Sequence, residues 1–299
     1  MRPTNVGVIG LVMFLCFTWA YQQIVIKLAL PEVGPMTQGA IRNGGACLLA
    51  VGFLFFRRIV WRHDVNGPGL LAGFLFGVEF VLIYYALTLT DASRATLMIY
   101  TSPFVVAIGE HLRADGHKLD TKSWIGISVA FLGVALTLGP GAPESRLALL
   151  GDALALCSGI AWGATTLVIK GSRLRDTPAT QVLIYQLAIA TVVFGIGIWI
   201  STESLSGFPT QPVTYWSLGF QVFWVASLSY GIWFALIQRY SATTLSVVTF
   251  ITPLFGVGLG IGLLGETLRV PHIIGTGLVA FGIVLVSLPR SRSVSANVE

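Results

Sequence analysis

Charge is scarce in this 299-residue chain. Only 10% of its residues are Asp, Glu, Lys or Arg, against about 25% in a soluble domain. Hydrophobic residues make up 55%, and mean hydropathy is +0.81. No soluble core hides that much apolar surface. Cysteine is equally sparse. Cys16, Cys47 and Cys157 all lie inside apolar runs, outside any C-x-x-C or Cys/His cluster. That excludes a disulfide framework and leaves small, buried or lipid-facing hydrophobes. The four histidines, His63, His111, His117 and His272, show no metal-ligand spacing. Neither G-x-S-x-G nor a Walker A motif occurs, which argues against an enzyme and against ATP-driven work within this chain. No cofactor is expected. The net charge of +5 sits in short loops between apolar runs, so it is not a nucleic-acid signal. Long linkers and soluble domains are absent. The expected partners are the lipid bilayer and a small-molecule substrate, and the chain is expected to work as a monomer.

What is abundant is the apolar run. A spanning helix needs about 20 apolar residues. Ten stretches qualify: 6–28, 36–56, 68–90, 93–112, 123–139, 148–170, 179–200, 213–237, 241–264 and 271–288. A signal peptide needs a cleavage site and a soluble mature chain. Further spans follow here, so 6–28 reads as the first span. Turn-forming segments such as PEVGP, VNGPG and LGPGAPESR punctuate the series. With ten spans, 13 Lys and Arg fall on the side of both termini and 4 on the other, with Arg42 inside the second span. That bias places both termini in the cytoplasm of a multi-pass protein of a bacterial-type inner membrane.

The chain also repeats itself. WAYQQIVIKLALPEVGPMTQ, starting at Trp19, and WGATTLVIKGSRLRDTPATQ, starting at Trp162, match at 7 of 20 positions without a gap. Average residue usage gives roughly one match. Pro103 then aligns with Pro253, Thr96 with Ser246 and Tyr100 with Phe250, while Gly126 and Gly133 align with Gly275 and Gly282. The repeats cover 5–139 and 147–288, followed by a cytoplasmic tail at 289–299. Each holds five spans. Five is odd, so the second half enters the membrane from the opposite side. The fold class expected is an all-α polytopic membrane protein of two inverted five-helix repeats. Halves related in this way suit alternating access.

Paired five-span halves, the Trp and Ile-Lys of the first span, the Pro of the fourth, and Leu263–Leu268 (LLGETL) before an I-I-G-x-G-L helix resemble the EamA family of the drug/metabolite transporter superfamily. The likeness covers nearly the whole chain. It implies ten helices, cytoplasmic termini and secondary transport, usually efflux of small metabolites. Within the family the chain most resembles YddG-type amino-acid exporters, some of which take aromatic substrates. One departure stands out. Glu110 follows Pro103 by 7 residues, whereas Glu266 follows Pro253 by 13, so Glu110 does not inherit the place of Glu266.

Ionisable groups deep in a span are costly and mark function. Glu79 lies mid-span with no charge within ten residues on either side. It suits either proton coupling or a substrate amino group, against the plainer reading of a structural carboxyl. Arg42 lies one turn after Gln38. It suits a substrate carboxylate or a pairing with Glu79, against snorkelling to the interface. Trp19, Gln22 and Gln23 share a face of the first span, as Ser158, Trp162, Thr165 and Thr166 share one of the sixth. Ser93, Thr96 and Tyr100 face Thr243, Ser246 and Phe250 across the repeat. These residues predict an aromatic, hydroxyl-lined cavity with a few polar anchors. Pro103 and Pro253 are expected to kink their helices and serve gating. Lys27 and Lys170 read as helix-end anchors or gating ion pairs, and Glu266 as an outer gate or a helix cap. The glycines of Gly256–Gly265, with Gly275 and Gly282, read as close helix packing. The function expected is export of amino acids or similar small metabolites. The alternative is a drug or lipophilic-cation exporter of the same fold.

Overall fold

The computed structural model describes residues 6–113, 119–138, 145–201, 203, 208–239, 249, 251–267 and 270–287. The described residues are helical, with no strand among them. In chain order the helices are α1 (Val6–Ala29), α2 (Pro35–Phe56), α3 (Asn66–Leu89), α4 (Ala92–Ile99), α5 (Ser102–Leu112), α6 (Thr121–Leu138), α7 (Arg146–Gly171), α8 (Ala179–Ser201), α9 (Pro212–Gly219), α10 (Tyr230–Arg239), α11 (Thr252–Leu264) and α12 (Val270–Ser287). A π-helical run, Phe220–Ser229, joins α9 to α10 without a break. Among the described residues, five segments are long and apolar enough to cross a membrane: Val6–Ala29, Pro35–Phe56, His63–Leu89, Arg146–Gly171 and Ala179–Ser201. Large apolar side chains such as Leu48, Phe55, Phe131 and Ile196 stand exposed on the outer surface. Lipid, not water, is the solvent such a surface requires.

The fourth expected span is two helices. Proline lacks an N–H and its ring clashes with the carbonyl four residues back. Pro103 would meet Ile99 in that way, and the helix stops at Ile99 and restarts at Ser102. Thr101 Oγ1 closes the break by donating to Met98 O at 2.8 Å. Gly159 of α7 seats against the same break, where an added Cβ would lie 2.7 Å from Ile99 O. Pro253 likewise stands at the second position of α11, and Thr252 Oγ1 donates to Thr249 O at 2.7 Å. At the other end of α11, Gly265 takes a left-handed φ of 66°, and Glu266 N closes onto Gly260 O. A glycine is favoured there because a Cβ would be strained. Ser246 and Phe250 lie outside the described residues, as does Thr243.

Packing pairs the two halves of the chain. Helix α2 lies on α8, α4 on α11, and α6 on α12. Helix α3 packs against α7 and α8, while α1 and α2 pack against α9 and the π run. Helix α7 carries α4 and α5, and α1 carries α11. The α6–α12 crossing is built on glycine. A Cβ on Gly133 would lie 2.6 Å from Gly275 O, and one on Gly282 would collide with Gly126 O. In the glycine run of α11 only one of the two spacings packs. Gly256 and Gly260 abut Thr96 and Ser93 of α4, whereas Gly258 and Gly262 face open space.

Candidate functional site

The polar interior collects on α2, α3 and the π run. Arg42 is fully buried beneath α3. Its guanidinium carbon lies 3.9 Å from the centre of the Phe80 ring, a cation–π contact. Its Nη1 donates to Asn43 Oδ1 and its Nη2 to the Tyr230 hydroxyl, each at 3.0 Å. Its Nε finds no partner. Glu79, one residue before Phe80, is 4% exposed, and its Oε2 is also without a partner. Among the described residues these two charges form no ion pair, yet the Arg42 charge acts on Glu79. The Tyr230 ring itself lies 5.7 Å from the Arg42 guanidinium carbon. Next to them runs an amide–phenol chain: the Tyr84 hydroxyl donates to Gln221 Oε1, and Gln221 Nε2 donates to Gln38 Oε1 at 3.2 Å. Gln38 Nε2 returns to the carbonyls of Val33 and Ile26, at 2.9 and 3.3 Å.

Aromatic rings enclose this centre. Phe76 lies against Phe80 and Tyr230, and Tyr84 against Phe80 and Phe194. Trp19 meets Trp233 edge-on at 5.4 Å, and its indole N–H donates to Ser229 Oγ at 3.0 Å. Trp162 meets Tyr100 edge-on, also at 5.4 Å. Gln22 and Gln23 are buried on α1, and Gln23 Oε1 has no partner.

Among the described residues, the hydroxyls of Ser158, Thr96 and Thr166 are satisfied within the protein. Ser158 Oγ donates to Glu79 O at 2.9 Å, tying α7 to the turn of α3 that carries the carboxylate. Thr96 Oγ1 donates to Ala92 O at 2.7 Å and Thr166 Oγ1 to Trp162 O at 3.1 Å, each within its own helix.

Charged groups at the helix ends complete the frame. Glu266 accepts from Ala92 N, Ser93 N and Ser93 Oγ, at 2.7, 3.1 and 2.6 Å. It is a cap, and the helix it caps is α4. Lys27 lies 3.8 Å from the same carboxylate and donates to Thr90 O at 2.8 Å. Glu203 caps α2 through Met36 N and Thr37 N, both at 3.0 Å. Glu32 caps α9 through Thr210, Gln211 and Thr214. These hydrogen bonds hold the Glu32 carboxyl down at about 2. Arg94 and Asp152 form a buried ion pair, and Thr90 Oγ1 donates to Asp152 at 2.6 Å. Glu110, by contrast, pairs with Arg113 one turn away, at 3.1 Å. Asn43, Gln221, Glu203 and the Arg94–Asp152 pair are additions to the sequence reading. A lone amide in the apolar run LGFQVFW was the available signal for Gln221.

The model of the EamA-like transporter family matches residues 6–139 and 149–288. The chain belongs to that family. It is a helical, multi-pass membrane transporter. A probable amino-acid metabolite efflux pump of Escherichia coli (strain K12) is 24% identical over 292 residues, covering 93% of each chain. The uncharacterized transporter YvbV of Bacillus subtilis (strain 168) is 26% identical, covering 96% of this chain and 94% of its own. The uncharacterized inner membrane transporter YedA of Escherichia coli (strain K12) is 22% identical, covering 94% and 90%. A solved structure described as "Crystal structure of protein" superposes with a TM-score of 0.64 at 16% identity, covering 92% of this chain and 96% of its own, so the fold is shared.

Proposed function

We propose that this transporter exports amino acids, aromatic ones included, or similar small metabolites across a bacterial-type inner membrane by alternating access. The observation that carries the reading is the buried, unpaired Arg42–Glu79 centre within aromatic walls. Unsatisfied buried charge is too costly to keep without a use. Similarity to a probable amino-acid metabolite efflux pump of Escherichia coli supports an amino-acid cargo.

The proposed architecture is ten spans in two inverted repeats with both termini cytoplasmic. Helices α4 and α5 together make the fourth span, and α9 through α10 the eighth. The packing supports this. Each contact of α2 with α8, α4 with α11 and α6 with α12 maps onto itself when the halves exchange, and α3 on α8 maps onto the π run on α2. The Gly133–Gly275 approach likewise maps onto Gly282–Gly126. Substrate is proposed to meet Trp19, Gln22, Glu79, Tyr100 and Trp162, with Thr96, Ser158, Thr166, Ser246 and Phe250 shaping the wall. Arg42, Glu79 and the breaks at Pro103 and Pro253 are proposed to serve coupling and gating. The chain is proposed to act as a monomer.

The test is counterflow in proteoliposomes holding amino acids, nucleosides and cationic dyes, with and without a pH gradient, for the wild type and Glu79→Gln. Amino-acid exchange supports the reading. If Glu79→Gln removes only the gradient response, Glu79 carries the coupling proton. Dye movement without amino-acid movement selects the drug or lipophilic-cation exporter instead.

A further inference from the structure

A buried guanidinium and a buried carboxylate close into a pair unless something holds them apart. Here Arg42 is held by Asn43, Tyr230 and the Phe80 ring, and Glu79, the residue before Phe80, forms no ion pair with the guanidinium and keeps its Oε2 without a partner. Each keeps one buried polar atom without a partner, Arg42 Nε on one side and Glu79 Oε2 on the other. A single group of either sign would satisfy one atom and leave the other stranded. A ligand that carries a carboxylate and an ammonium on neighbouring atoms satisfies both.

We propose that Arg42 and Glu79 are a split ion pair that reads the two ends of a zwitterion. The ligand's carboxylate accepts from Arg42 Nε–H and an adjacent Nη–H, the edge of the guanidinium fork suited to two parallel bonds. The ligand's ammonium donates to Glu79 Oε2. Phe76, Phe80, Tyr84 and Tyr230 take the apolar side chain. This inference rests on the exporter reading and sharpens it. The specificity-determining contacts are the two charges, so the free α-amino acid is accepted. The same skeleton lacking either end leaves a buried charge unpaired and is rejected on the order of 100-fold or more.

The experiment is competition against labelled L-phenylalanine counterflow in proteoliposomes of the full chain. The competitors are unlabelled L-phenylalanine, phenethylamine, phenylalaninamide and 3-phenylpropionate. In the wild type, only the free amino acid is expected to compete at comparable concentration. Arg42→Gln is expected to narrow the gap between phenylalanine and phenethylamine. Glu79→Gln is expected to narrow the gap between phenylalanine and 3-phenylpropionate. The wild-type series decides even where a variant fails to fold. Phenethylamine or 3-phenylpropionate competing as well as phenylalanine overturns the zwitterion reading and leaves the exporter intact. Variants that lower all compounds equally, with unchanged ratios, also overturn it. Absence of phenylalanine counterflow while other amino acids exchange overturns this inference alone; absence of exchange for every amino acid overturns both readings.

Discussion

Glu266 holds Ser93 twice over, accepting from its main-chain N–H at 3.1 Å and from its hydroxyl at 2.6 Å. The carboxylate follows α11, and the serine lies in the first turn of α4, 173 residues earlier in the chain. An anion at a helix amino terminus satisfies orphan N–H groups and meets the positive end of the helix dipole. Asp91 precedes α4 without capping it through its side chain, so the cap comes from across the fold.

Glu266→Ala is expected to destabilise the protein by about 2 kcal/mol, the range for a charged hydrogen-bond acceptor. Ser93→Ala keeps both main-chain bonds and is expected to cost about half as much. Thermal unfolding in detergent measures both. Equal losses would show that the hydroxyl, not the cap, carries the contact.

The Arg94–Asp152 pair is buried, with side chains 5% and 0% exposed. Removing one partner strands the other. Arg94→Met or Asp152→Leu alone is expected to cost about 3–5 kcal/mol, and the double substitution distinctly less than the sum. A double-mutant cycle on melting temperature checks this. Additive losses would rule out a coupled pair.

Glu32 gives the structure an acid limit. Its folded carboxyl titrates at about 2 because Thr210, Thr214 and Gln211 donate to it. A depressed folded value means that the α9 cap is fully present above the unfolded value, 4.5, and is lost as pH falls toward 2. Hydrogen exchange at residues 210–214, followed from pH 5 to pH 2, is expected to show that loss. Thr214→Val removes one donor and is expected to shift it to higher pH. An unchanged profile in the variant would exclude Thr214 as a determinant.

Glycine replacements separate packing from open space. Gly133→Ala and Gly282→Ala push a methyl into the backbone of the facing helix and are expected to cost about 1–3 kcal/mol each. Gly258→Ala and Gly262→Ala meet nothing and are expected to be neutral or stabilising by up to about 1 kcal/mol. Melting temperatures of the four variants decide the matter, and a neutral Gly133→Ala would contradict the close crossing.

Much of this was legible in the sequence because lipid leaves few choices. Glu79 and Arg42 stand out in runs where every neighbour is uncharged, and both prove buried. The breaks at Pro103 and Pro253 follow from a missing N–H. The π run was not legible. Its residues are as apolar as those of any span, and the switch from α to π hydrogen bonding leaves no local signature. The carboxylate caps were hidden for another reason. Glu32 and Thr214 are 182 residues apart, and Glu203 and Thr37 are 166 apart, so only the assembled fold brings them together.

The caps have one more consequence. Glu32 of the first repeat holds the second, and Glu203 and Glu266 of the second hold the first. All three stitches cross the seam, at the proposed outer mouth. At the other mouth, Arg173 to Asp64 and Arg62 to the Asp176 carbonyl are largely exposed to water, while the buried Gln181 amide holds the Arg62 main chain through both its N–H and its carbonyl. Salt weakens exposed ion pairs readily and the sheltered Glu266 and Glu203 contacts little. The two mouths therefore differ in what unfastens them. Ionic strength on the proposed cytoplasmic side is expected to ease opening there, while the outer mouth loosens as its carboxylates are protonated or competed for. Turnover measured with salt raised on one face of the vesicle at a time would register that asymmetry directly.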